Sequence, residues 1–177
     1  MTGVAAAAVA VPTAVPMTAQ AVEVSTTAAK VPAERPSASQ AAKMGPSQWK
    51  GGALRRPEGG RFNPHVIRWA NLTLLVMDEL NIPKKRLPGV LAQMQQESSG
   101  NPKAVNHWDS NAKRGTPSKG LLQVIAPTYR HYAKPGFKDT RYQTVPYTNI
   151  YASLNYVKDA YGYGKFKSWN KGANQGY

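Results

Sequence analysis

From residue 61 onward, prolines and glycines cut the chain into helix-sized pieces, and this punctuation constrains the fold more than any other feature. Pro64, Pro88, Pro127 and Pro146 each open a stretch of helically spaced apolar residues. Proline is tolerated at that first-turn position because its missing N–H would have no intrahelical partner. Asn63 is placed to cap the first helix, where Ile67, Ala70, Leu74 and Met77 share one face and Pro83 is the stop. Val90, Leu91 and Met94 stripe the second, which Gly100 and Pro102 end. Residues 101–119 are rich in turn formers and read as a long loop. "GLLQVI", at 120–125, fits either a strand or a tight turn. Tyr129 and Tyr132 mark a short helix. Ile150, Leu154 and Val157 mark a longer one, with Tyr147 and Tyr151 stacked one turn apart. The tail "YGYGKFKSWNKGANQGY" has no defensible period. The expected class is mostly α, with little or no strand.

Residues 1–60 look different. They are dominated by Ala, Val, Pro, Ser and Thr, with almost no large side chains to build a core, and read as a low-complexity, disordered leader. The folded domain is expected over 61–177. Within the leader, residues 4–15 are small and apolar, and Ala19-Gln20-Ala21 fits an A-x-A cleavage site, as in an export signal; no basic n-region precedes them. Pro12, Pro16 and Gln20 interrupt a run already shorter than the ~20 residues a membrane span needs.

The chain has no cysteine, which excludes a disulfide scaffold and a thiolate metal site. His65, His107 and His131 are scattered, without ligand spacing, so neither metal nor cofactor is expected. Nucleotide-binding loops and the serine-hydrolase elbow are absent. Residues 61–177 hold seventeen Lys/Arg against six Asp/Glu, a net charge of +11. Such a surface attracts polyanions, but charge alone does not choose among nucleic acid, wall polymer and membrane.

Carboxylate chemistry remains. Asp78, Glu79 and Asp159 read as solvated helix faces, and Asp139 as a surface ion in a basic loop. Glu97 differs. It follows Met94 by three residues and Val90 by seven, beside the apolar stripe, and "SSGNP" breaks the chain just after it. Burial disfavours a charged carboxylate and raises its pKa, which a general acid requires. Spacing alone also permits a glutamate that extends past the last turn into water.

"QQESSGNPKAVN", then "PSKGLLQVIAPTY", then "NIYASLNY" resemble, in order, three motifs of the soluble lytic transglycosylase family, lysozyme-like muramidases that act on peptidoglycan. The likeness runs over roughly residues 64–165, and its loop is similar to secreted actinobacterial proteins and to lysin domains of phage tails. It departs in Leu122, where the family has Met, and in the last motif, echoed only by Ser168-Trp169-Asn170-Lys171-Gly172. Trp169 or a nearby tyrosine would have to replace that motif's tyrosine.

The resemblance implies a lysozyme-like (α+β) domain with Glu97 as sole acid/base and a 1,6-anhydro product. Ser98, Leu122, Gln123, Asn149 and Tyr156 would bind substrate. Tyr129 and Tyr151 stack on sugars or pack in the core. A hydrolase would need a second carboxylate, for which Asp109 is the candidate, though Asp-Ser-Asn also suits a turn organiser. A non-catalytic wall-binding module is the other alternative. Expected partners are peptidoglycan strands and anionic wall polymers, without specific nucleic acid. The expected state is a monomer, secreted or wall-associated, or else carried on a phage virion.

Overall fold

The computed structural model describes residues 35–173. The leader over 1–34, including the A-x-A site, lies outside the described residues. The body is helical, and its β structure among the described residues is limited to isolated bridges at Arg55–Arg61, Val105–Lys119 and Lys119–Val124. The expectation of a mostly α fold with little or no strand is met. No helix among the described residues is long and apolar enough to cross a membrane.

The packed body starts well before Arg61. Helix α1 (Ala38–Ala42) is opened by a capping box: Ser37 Oγ accepts from Gln40 N, and Ser37 N donates to Gln40 Oε1. Ala41 is fully buried, and Met44, Trp49 and Leu54 pack on the same core. Packed side chains therefore lie on the N-terminal side of the expected boundary at residue 60. A handful of well-placed apolar side chains anchors 36–60, and average composition hides them.

The helix expected from Pro64 is two, α2 (Pro64–Ile67) and α3 (Ala70–Glu79), separated by a turn at Arg68 and Trp69. That turn sets Trp69 Nε1 2.9 Å from the Gly100 carbonyl, which it bonds in the interior. Helix α3 ends in a Schellman motif: Asn81 is left-handed (φ 57°), and the Ile82 amide reaches back to the Met77 carbonyl. A 3-10 turn, Lys84–Arg86, leads into α4 (Leu87–Ser98), which buries Val90, Leu91 and Met94 as its spacing requires.

The 101–119 loop holds one short helix, α5 (Ser110–Lys113), capped by Asp109. "GLLQ" is a tight turn, closed by paired Lys119 and Val124 backbones, which settles the strand-or-turn alternative. Helix α6 (Ala126–Tyr132) follows. Helix α7 (Pro146–Trp169) is two helical segments joined at Gly162, whose φ of 65° is non-helical. The second segment carries Phe166 and Trp169, both fully buried, so the tail without a sequence period contributes two of the largest core side chains. Helix α7 packs on α3, α4 and α6 and gathers the core around it.

Candidate active site

Glu97 sits in the last turn of α4 and is half-buried. One turn earlier, the fully buried Gln93 donates its Nε2 to Glu97 Oε1 at 2.7 Å. This i, i+4 pair fixes the carboxyl rotamer and leaves the second oxygen without another hydrogen bond among the described residues. Burial pushes the Glu97 pKa up, and the amide bond from Gln93 opposes it; burial prevails. No cation pairs with Glu97 among the described residues, although the chain carries a formal +14. A half-buried carboxyl without a counter-ion can hold its proton above the usual carboxylate range and release it to a substrate oxygen.

The backbone after Glu97 is built to stop the helix there. Ser99 is left-handed (φ 52°) and Gly100 more so (φ 80°). A Cβ on Gly100 would lie 2.2 Å from the His65 carbonyl oxygen, so only glycine lets α4 end against α2. Ser98 Oγ donates to the Leu121 carbonyl at 2.7 Å and accepts from Gly100 N at 3.2 Å. Ser98 is thus the tie between the end of α4 and the Gly-Leu-Leu-Gln turn.

That turn is pinned from the other side by Asn149 on α7. Its Oδ1 accepts from Leu122 N at 2.9 Å, and its Nδ2 donates to the carbonyls of Lys119 (2.9 Å) and Gln143 (2.8 Å). Gly120 has a φ of 86°, and a Cβ there would meet the Asn149 amide at 2.2 Å. Glycine and asparagine, 29 positions apart, are therefore one fitted pair.

The expected substrate-binding residues divide. Gln123 and Tyr156 come together, lining a cleft of about 130 Å³ with Asn111, Ser118 and Thr128. Gln123 is held left-handed (φ 46°), with its Nε2 on the Ala104 and Gly120 carbonyls. Tyr156 meets Tyr161 through their hydroxyls at 3.2 Å and lies 5.2 Å from the Tyr132 ring, centre to centre. That hydroxyl contact and burial push the Tyr156 pKa up to about 12, so it stays a neutral donor. Leu122 and Asn149 are both fully buried, and neither lines that cleft.

The tyrosine and tryptophan alternatives also resolve. Tyr129 and Trp169 are fully buried, so neither offers a face to a sugar or substitutes for a surface tyrosine. Tyr151 is half-buried, with Lys134 Nζ 5.4 Å from its ring centre. Asp109 spends one oxygen capping α5 (2.8 Å to Ala112 N), and its other accepts from Asn106 Nδ2 at 3.2 Å. It is the turn organiser, engaged at both oxygens.

Sequence reasoning missed four features. The Gln93–Glu97 pair was visible as an i, i+4 spacing. Trp108, just before Asp109, is 86% exposed, which no local pattern shows. Glu79, read as a solvated acid, is nearly buried and forms an ion pair with Lys134 at 2.5 Å, and both bond the Tyr147 hydroxyl. Asp159, read likewise, accepts from the Tyr132 hydroxyl at 2.9 Å.

Residues 79–175, more than half of the chain, match the family model described as the transglycosylase SLT domain. The chain is also 38% identical over 103 residues to the uncharacterized protein YqbO of Bacillus subtilis (strain 168). The match takes in 58% of this chain but only 6% of that protein's length. No solved structure gives a significant match.

Proposed function

The chain belongs to the transglycosylase SLT domain family, and on that premise we propose that it is a peptidoglycan lytic transglycosylase with Glu97 as its single acid/base. The observation that carries this reading is Glu97 itself: a half-buried carboxyl, raised in pKa, held by Gln93 and without a counter-ion among the described residues.

In the proposed reaction, protonated Glu97 gives its proton to the glycosidic oxygen between N-acetylmuramic acid and N-acetylglucosamine. The bond from that oxygen to the muramoyl C1 breaks. The Glu97 carboxylate then takes the proton of the 6-hydroxyl on the same sugar, and that oxygen closes on C1. Glu97 ends protonated, no water is consumed, and the product is the 1,6-anhydro sugar. Attack from within one sugar ring profits from proximity and needs no second carboxylate, in keeping with the engagement of both Asp109 oxygens in local structure. Gln93 is a positioning residue that aims the carboxyl. Gln123 and Tyr156 are proposed to contact the glycan from their shared cleft. The excess of basic residues over 61–177 favours retention on an anionic wall, so we place the protein at the cell wall.

The test is Glu97→Gln, assayed for release of soluble muropeptides from purified peptidoglycan. The amide keeps shape and hydrogen bonding but has no proton to donate. A loss of at least about a hundredfold is expected, from the usual scale of general acid catalysis. Equal release by variant and parent would remove Glu97 from the mechanism.

A further inference from the structure

The end of α4 is held by residues that lie outside the family-matched segment, 79–175. Trp69 is 2% exposed and spends its one side-chain donor, Nε1, on the carbonyl of buried Gly100 at 2.9 Å. Gly100 also abuts the His65 backbone, too closely for any side chain. Two residues before Glu97, Gln95 Oε1 accepts from Asn63 N at 2.8 Å. Asn63, His65 and Trp69 all precede residue 79. We infer that Trp69 is a positioning residue for Glu97: by holding Gly100 it fixes where α4 stops, and so where the Glu97 carboxyl stands.

The route from Trp69 to Glu97 is short. Gly100 N donates to Ser98 Oγ at 3.2 Å, and Ser98 Oγ donates to the Leu121 carbonyl at 2.7 Å. Ser98 follows Glu97 directly in the chain. Trp69, Gly100 and Ser98 thus join the turn between α2 and α3, the end of α4 and the Gly-Leu-Leu-Gln turn in one line of bonds. Ser99 shows why the line is needed. Its φ of 52° is left-handed, a conformation that a residue with a side chain keeps only where its surroundings impose it. Released at Gly100, Ser99 can return to an ordinary conformation, and the last turn of α4 can open to water, as helix ends do first. Gln93 sets the rotamer of the carboxyl but does not hold the backbone after it.

Trp69 is itself a fixed anchor. Arg68 Cζ lies 5.4 Å from its ring centre, and the Arg68 carbonyl accepts from Ser47 N at 2.9 Å. Burial is what raises the Glu97 pKa, so the titration of Glu97 reports whether the last turn of α4 is closed. Only the effect on rate rests on the reading of Glu97 as the acid; the hold on its carboxyl does not.

The deciding measurement is the Glu97 carboxyl carbon, followed by NMR against pH in the full chain and assigned by its loss in Glu97→Gln. His65 and Arg68 line the pocket at the end of α4, and reading Glu97 at its own carbon keeps their titration apart. Trp69→Phe keeps an aromatic ring and removes the donor. Its Glu97 pKa should fall toward the ordinary 4.5, and the basic limb of kcat should move to lower pH with it. On soluble glycan strands kcat should drop by about tenfold or more, toward the roughly hundredfold that a displacement of about 1 Å costs, with KM little changed. Tyr129→Phe is the control, because it removes a bond of the same kind, 2.8 Å to the Phe137 carbonyl. It should lower the melting temperature and leave the Glu97 titration in place. Should Trp69→Phe not fold, β-(3-benzothienyl)alanine at position 69 keeps the two-ring shape and loses only the N–H. The titration needs no turnover, so it decides this inference even if Glu97→Gln releases muropeptides as the parent does. An unmoved Glu97 titration without the Trp69 donor, or an equal move in Tyr129→Phe, would overturn the inference.

Discussion

Replacing Asn149 by alanine distinguishes a buried pin from a substrate ligand. The side chain is fully buried and makes three hydrogen bonds, one accepted from Leu122 N and two donated to the Lys119 and Gln143 carbonyls. At about 1 kcal/mol net for each, the loss is about 3 kcal/mol. A chain of this size shifts its melting temperature by roughly 2–4 °C per kcal/mol, so a fall of roughly 6–12 °C is expected. Asn149→Asp sharpens the test. It keeps the acceptor for Leu122 N but turns an oxygen toward two carbonyls, so it should be no more stable than the alanine variant. The assay is thermal melting by circular dichroism, with urea unfolding for the free energy, alongside muropeptide release. Activity should fall with stability, because the Gly-Leu-Leu-Gln turn loses its anchor. A melting temperature within about 2 °C of the parent, which is under roughly 1 kcal/mol, combined with lost activity would refute the pin and return Asn149 to the ligand set.

Two further outcomes follow from the electrostatics. Burial raises the Glu97 pKa, so the native state holds a proton that the unfolded chain has already released. Stability from this group is full below the ordinary value of 4.5 and is lost as pH rises through the raised one. Glu97→Gln should therefore melt higher than the parent at pH 8, with the gain vanishing near pH 4; a gain that is constant across pH would contradict the assigned burial. Glu79→Ala should destabilise by about 2 kcal/mol in urea unfolding, less than for a fully buried pair because Lys134 keeps some solvent access. A change under roughly 0.5 kcal/mol would return Glu79 to the solvated acids.

Much of the fold was legible because the helices are punctuated chemically. Asn63 and Pro64, Pro88, Pro127 and Pro146 mark starts that the structure places within a residue or two. What escaped depends on partners distant in sequence. Helix α1 is invisible to composition because Ala41 needs only a small cavity against α7. The segment after Gly162 has no readable period because it is only about two turns long, with Phe166 and Trp169 doing the filling. At the site, Glu97 was legible from its place at the end of an apolar stripe. Leu122 and Asn149 sit in motifs that the family resemblance ties to the substrate, yet their burial is decided by packing of α7 against the turn. Glu79 reads as solvated because its partner Lys134 lies 55 residues away.

The central claim, a glutamate that cleaves by returning the sugar's own 6-hydroxyl to C1, is tested most directly by the mass spectrum of muropeptides released from purified peptidoglycan. The account predicts muramoyl ends one water lighter than the hydrolytic product and resistant to borohydride reduction. Reducing muramoyl ends at full mass would contradict it.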